Sequence, residues 1–167
     1  VEIDETFTLN GTVTSGNTDN TNPVGTGTIT ESLPLPTLTL TGTTVVEGNP
    51  VEFTATLSTA SSTPVTFTVL TTSGNPPNGA TSNADFQPIL VPILVTIPAN
   101  SLTYVLPFTI GTIIDPIFEQ TETFFLNATV TSGNTDNIDP VGIGTITESL
   151  LPPTFTITGN TATEGNP

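Results

Sequence analysis

The chain has 167 residues and a formal charge of −15 from 15 acidic residues, with no Lys, Arg, His, Cys, Met or Trp. Without cations it cannot displace counterions from nucleic acid or bind an anionic membrane surface, and it has no His or Lys base for a nucleophilic triad. Disulfides, Lys–Asn isopeptide staples, side-chain salt bridges and soft or imidazole metal ligands are excluded too, leaving carboxylates and hydroxyls, which suit hard oxygen-seeking cations.

Leu, Ile, Val and Phe make up a little under a third of the residues, enough for a core rather than disorder. No apolar run approaches the length of a membrane span and no basic segment precedes one, so neither a span nor a signal peptide is expected. Thr is nearly a quarter of the chain and alternates with apolar residues, the two-residue period of a half-buried strand. No segment has helical spacing.

Residues 5–32, ETFTLNGTVTSGNTDNTNPVGTGTITES, predict a hairpin. Phe7, Leu9 and Val13 share a face, turn signals follow at Ser15-Gly16-Asn17 and Asn22-Pro23, and a short strand runs through 27–30. SLPLP at 32–36 is a stiff, extended junction. Strands then follow with Leu38 and Leu40, with Val51, Phe53, Ala55 and Leu57, and with Val65, Phe67 and Val69 inward. Residues 71–86 are dense in turn formers and make the longest irregular connection. ILVPILVTI at 89–97 is apolar on both faces, and Pro92 within it predicts an edge, bulge or bend. Leu102, Tyr104, Leu106, Phe108 and Ile110 give the cleanest alternation, and 115–122 reads as a corner.

Residues 122–149, ETFFLNATVTSGNTDNIDPVGIGTITES, repeat the opening stretch at an offset of 117, and residues 1–50 match 118–167 at 35 of 50 positions. This period predicts a tandem array: 1–33 as the C-terminal part of one repeat, 34–150 as a complete repeat and 151–167 as the start of the next. The chain begins without Met and stops within a repeat, as a segment of a longer protein would. The second junction, SLLPP at 149–153, matches the first. About seven short strands per period and no helix predict an all-β, antiparallel Greek-key β-sandwich of immunoglobulin-like type.

The ordered set VVEGN at 45–49, ATSNADF at 80–86, IIDPIFEQTETFFLN at 113–127 and GIGTITES at 142–149 resembles the Calx-beta repeat. That module is known from the sodium/calcium exchanger, integrins and long bacterial surface proteins. The resemblance covers about 34–150 and implies a seven-stranded sandwich. Some members bind calcium through carboxylates at one end of the sandwich. Carried onto matching positions, this implies Glu47, Asp85, Asp115, Glu119 and Glu148 as metal ligands, with Glu2, Glu31 and Glu164 as counterparts in the partial repeats. From the residues alone, the same acids read first as solvated or turn-capping carboxylates.

Other signals are weaker. Asn10 and Asn127 head formal glycosylation sequons but read as outward strand residues, and the Thr-x-Thr stretches read as solvent-facing β-Thr rather than an ice-binding array. Leu70, Val105 and Phe125 fall on predicted outward faces, and Phe125 and Ile143 stand where the other copy has Thr8 and Thr26. Two functions are carried forward: a non-enzymatic structural repeat giving length and stiffness to an extracellular bacterial adhesin stalk or cell-surface filament, or a calcium-dependent adhesion or binding module. Neighbouring repeats of the same chain and identical chains in a filament are the expected partners. Glycoside hydrolysis by paired carboxylates is the best enzyme case, but with no Trp and a single Tyr, Tyr104, the chain has no aromatic sugar platform.

Overall fold

The computed structural model describes residues 4–19, 22–30, 34–133 and 135–165. Its strands are β1 Glu5–Asn10, β2 Val24–Ile29, β3 Leu38–Gly42, β4 Thr44–Val46, β5 Val51–Leu57, β6 Val65–Thr72, β7 Ile93–Ile97, β8 Thr103–Ile110, β9 Glu122–Ser132 and β10 Val141–Thr147. Among the described residues there is no helix, so none is long and apolar enough to cross a membrane.

β3 to β10 form a sandwich. One sheet has the order β4-β10-β9-β6-β7 and the other β3-β5-β8. Alternation sets the inward faces: every second residue of β5 from Val51 to Leu57, and of β6 from Val65 to Thr71, is buried. Phe53 of one sheet meets Phe124 of the other edge to face, with ring centroids 6.0 Å apart, and each fully buried ring contributes on the order of 2–3 kcal/mol of burial.

Eight strands stand where seven were expected, because the first is split. β3 pairs antiparallel with β5, the chain crosses the gap at Gly42 and Thr43, and β4 pairs parallel with β10. A Cβ on Gly42 would lie 2.4 Å from the Ile143 carbonyl oxygen, so only glycine fits at the crossing. The two prolines within strand patterns also find tolerant places. Pro92 immediately precedes β7, an edge strand. Pro107 lies on β8, also at an edge, inside a bulge where the pairing jumps from Glu52↔Thr109 to Thr54↔Val105.

The connection at 73–92 is anchored rather than loose. Ala80 and Phe86 within it are fully buried, and Phe86 stacks on Phe124 at 4.3 Å. At the pole where β3 begins, Asn137 clamps the chain: its Oδ1 accepts the Leu38 N–H at 2.8 Å and its Nδ2 donates to the Leu38 carbonyl at 2.7 Å. Asn127 lies mid-strand, donating to Thr72 Oγ1 at 2.9 Å, as an outward strand residue should.

β1 and β2 form a separate two-stranded sheet. Their register, Glu5↔Ile29 to Asn10↔Val24, repeats that of β9 and β10, Glu122↔Ile146 to Asn127↔Val141. β1 ends at Asn10, short of Val13, whereas β9 runs on to Ser132 because its second half pairs with β6. Leu102, expected inward, precedes β8 and is exposed. Residues 151–165 form no strand.

Candidate metal centre

Three strands of the five-stranded sheet lead into or out of an acid placed two residues beyond a core-facing position. Glu122 precedes Phe124 on β9, Glu148 follows Ile146 after β10, and Glu47 follows Val45 after β4. Inward positions recur every second residue, so these carboxylates extend the interior surface past the apolar core at one pole. Glu47 is brought beside β10 because its N–H continues the parallel ladder to the Thr147 carbonyl at 2.9 Å. The turn after it is closed by Gly48, at φ +81°, the left-handed value a type II turn needs at its third residue.

The loops add the rest. The stack of Phe86 on Phe124 draws Asp85, one residue before the first ring, toward Glu122, two residues before the second. Asp85 is fixed there: its carbonyl accepts the Ile113 N–H at 2.8 Å, its N–H donates to the Thr81 carbonyl at 2.9 Å, and its carboxylate accepts the Thr81 N–H. The corner before β9 carries Asp115, whose Oδ1 accepts the Ile117 N–H at 2.7 Å, and Glu119.

Carboxylate oxygens of Asp85, Glu119 and Glu122 lie within 4.8 Å of one another. Beside them is a cleft of about 10 Å³ lined by Glu47, Glu119, Glu122 and Glu148 together with Gln120, Ile146 and Thr147, room for about one water-sized particle. Burial pushes the Glu122 carboxyl up to about 7, reinforced by the charges of Asp85 and Glu119 and by a hydrogen bond with Asp85. Glu119 is raised as well, by burial first and then by the charges of Asp85, Asp115, Glu148 and Glu47. In a chain without a basic side chain, only protons or bound cations can neutralise such a group.

The sequence-predicted acids therefore divide. Asp85 and Glu119 stand in the cluster, Glu47 lines the adjoining cleft, and Asp115 acts on Glu119 and Glu122 through its charge. Glu148 lines the cleft but is occupied by backbone: its oxygens accept N–H groups from Glu119 at 2.6 Å, Ser149 at 2.7 Å and Leu150 at 2.8 Å. These bonds, that from Leu150 foremost, hold its carboxyl below the usual range. Glu47 accepts the Ser149 hydroxyl. Glu122 was not among the predicted ligands, although it has the parity of Phe124, Leu126 and Ala128, which marks it as an inward acid. Of the counterparts, Glu164 is exposed, and Glu2 and Glu31 lie outside the described residues.

The donor set is compatible with Ca²⁺. Ca²⁺ holds oxygens at 2.3–2.6 Å, so two of its ligands are at most about 5 Å apart, and the three carboxylates, all within 4.8 Å of one another, meet that limit.

Among solved structures the chain is similar to the apo-form Calx CBD1 domain, with a TM-score of 0.51 and 16% identity over 70% of this chain and 99% of that one. The fold is of Calx-beta type. The matched share corresponds in length to about one 117-residue period. No protein-family profile and no curated protein matches the sequence. In this sandwich the acids sit where β4 and β10 end and β9 begins, a pole compatible with calcium.

Proposed function

We propose that the complete repeat is a non-catalytic module that binds Ca²⁺ at its acidic pole, with Asp85, Glu119 and Glu122 as the central ligands. The observation that carries this reading is the convergence of those three carboxylates within 4.8 Å in a chain without any basic side chain to offset them. Glu47 and Asp115 add field and further oxygens, while Glu148 positions the corner by holding the Glu119 N–H. Calorimetric titration at pH 7.5 tests the reading. It should give saturable heat with Kd on the order of 10⁻⁴–10⁻³ M, the range of extracellular calcium modules. Saturating Ca²⁺ should add about 2.7 kcal/mol of stability at a hundredfold excess over Kd. No heat and no change in Tm at millimolar Ca²⁺ would overturn it.

The duplicated stretch supports a second, compatible reading. Near-identical sandwiches joined by five-residue Pro-rich segments would stack into a stalk on the surface of a bacterium, as part of an adhesin or filament. The absence of Lys and Arg, and with them of trypsin-type cleavage sites, suits an extracellular setting. Electron micrographs of a multi-repeat array should show straight rods with a regular axial period, and freely hinged beads would refute the stalk.

A further inference from the structure

The chain enters and leaves the sandwich at opposite poles, and both ends are pinned. At the entry Pro36 is fully buried and its carbonyl accepts the Asp136 N–H at 3.1 Å. The Thr37 N–H donates to Ser58 Oγ at 2.9 Å, its carbonyl accepts the Ser58 N–H at 3.0 Å, and its hydroxyl donates to Asp136 at 2.9 Å. The Asn137 clamp on Leu38 stands beside them. At the exit, on the carboxylate pole, Ser149 donates its hydroxyl to Glu47 and its N–H to Glu148.

Between these points the first strand is fastened to both sheets. β3 pairs with β5 from Leu38↔Leu57 to Gly42↔Phe53, and β4 pairs in parallel with β10 from Thr44↔Thr145 to Val46↔Thr147. Backbone bonds extend the parallel seam at each end: the Thr145 N–H donates to the Thr43 carbonyl at 3.3 Å, and the Glu47 N–H to the Thr147 carbonyl at 2.9 Å. Side chains close it, with Thr147 Oγ1 donating to the Val45 carbonyl at 3.0 Å and Ser149 to Glu47. Because β4 and β10 run the same way, tension on the two ends of the repeat pulls the first strand backward and β10 forward along their own axes. Ladder bonds lie across the strands. Such a pull loads all of them at once, whereas separating two neighbouring strand ends breaks them one after another.

We propose that the complete repeat is a tension-bearing element whose split first strand is a clasp held in shear between the two sheets. The source of the tension rests on the stalk reading above, and the clasp rests on the topology alone. β3 and β4 are both edge strands, while β10 lies between β4 and β9, so the first strand is the part that yields. Both of its halves are paired, on either side of the crossing at Gly42, so it slides out only by breaking its ladders to β5 and β10 together.

Pulling single molecules of the 167-residue chain by its two ends tests the proposal. The main unfolding event should lengthen the chain by about 350 Å, the reach of about 115 residues less the folded length. Its force should be several times that needed when the same sandwich is pulled through thiols placed by Thr63→Cys and Leu102→Cys, unique in a chain without Cys. Those exposed sites flank β6 and β7, whose ends Val65 and Ile97 are cross-strand partners, so this second pull unzips a ladder. Forced unfolding follows the unfolding rate, and Thr147→Val/Ser149→Ala, which opens one end of the seam, should raise that rate about tenfold at a fixed end-to-end force. Thr131→Val loses bonds of the same kind, to Thr66 across β6 and β9. It should lower the urea midpoint and leave the rate under end-to-end force unchanged. Equal forces in the two directions overturn the clasp, and so does a seam variant that unfolds no faster than Thr131→Val. Hinged beads in electron micrographs would refute the stalk without touching this result, and a weak end-to-end pull would refute the clasp even in a straight rod.

Discussion

The hairpins β1–β2 and β9–β10 have nearly the same sequence and the same register, yet Phe7 and Leu9 are 56% and 72% exposed while Phe124 and Leu126 are fully buried. The start of the sandwich shows the same contrast: Leu38 is buried, and its counterpart Phe155 is 87% exposed in a segment that forms no strand. Local pattern is enough to pair two strands and set their register. Neighbours decide everything else: β6 extends β9 by five residues, the second sheet covers its inner face, and burial together with the charges of Asp85 and Glu119 raises the Glu122 carboxyl. Glu5 and Glu122 occupy equivalent positions, and among the described residues only Glu122 stands in such a cluster.

The largest test of this contrast is Phe124→Ala against Phe7→Ala. Phe124 contacts both Phe53 and Phe86, so its loss should cost about 3–5 kcal/mol, read from the urea midpoint; Phe7→Ala should stay within about 0.5 kcal/mol. Next, Glu122→Gln should weaken Ca²⁺ binding at least tenfold by calorimetry, or about 1.4 kcal/mol, while Glu5→Gln leaves the isotherm unchanged. Smaller again, Asn137→Ala removes the clamp on Leu38 and should cost about 1–2 kcal/mol, which asks whether β3 owes its order to that clamp.

The smallest effect is a slope. Glu122 keeps its proton in the folded chain up to about 7 but loses it near the ordinary Glu value when unfolded. Between those values the folded state binds more protons, so in the absence of metal stability should fall as pH rises from about 4.5 to about 7 and then level off. Glu122→Gln should flatten that part of a Tm-versus-pH curve, leaving the smaller contribution of Glu119. A slope that is unchanged in the variant would place the titration elsewhere.

Most of the strands were legible because period-two alternation directly reports a face, as in β5, β6 and β8. The split of the first strand was not, because it depends on how close Gly42 passes to Ile143, a contact between residues about a hundred positions apart. The acidic pole was legible as a set of residue types in loops. Its centre is less legible because Glu122 closes a turn-rich corner in the sequence, although its parity belongs to the core face of β9. Phe86 was likewise hidden at the end of a turn-rich stretch, yet its stack on Phe124 is what carries Asp85 to the site. Glu148 shows the converse: an acid of the right type in the right place whose oxygens are spent on three backbone N–H groups.

The most direct test of the central claim is a Ca²⁺ titration of the chain at pH 7.5 followed by amide NMR, because one experiment reads both hairpins. Saturable shifts should appear at Asp85, Glu119 and Glu122 while Glu5 and its neighbours in β1 stay still. Shifts of equal size at Glu5 and Glu122, or none at either, would contradict a cation site built by the sandwich around one copy of the repeated hairpin.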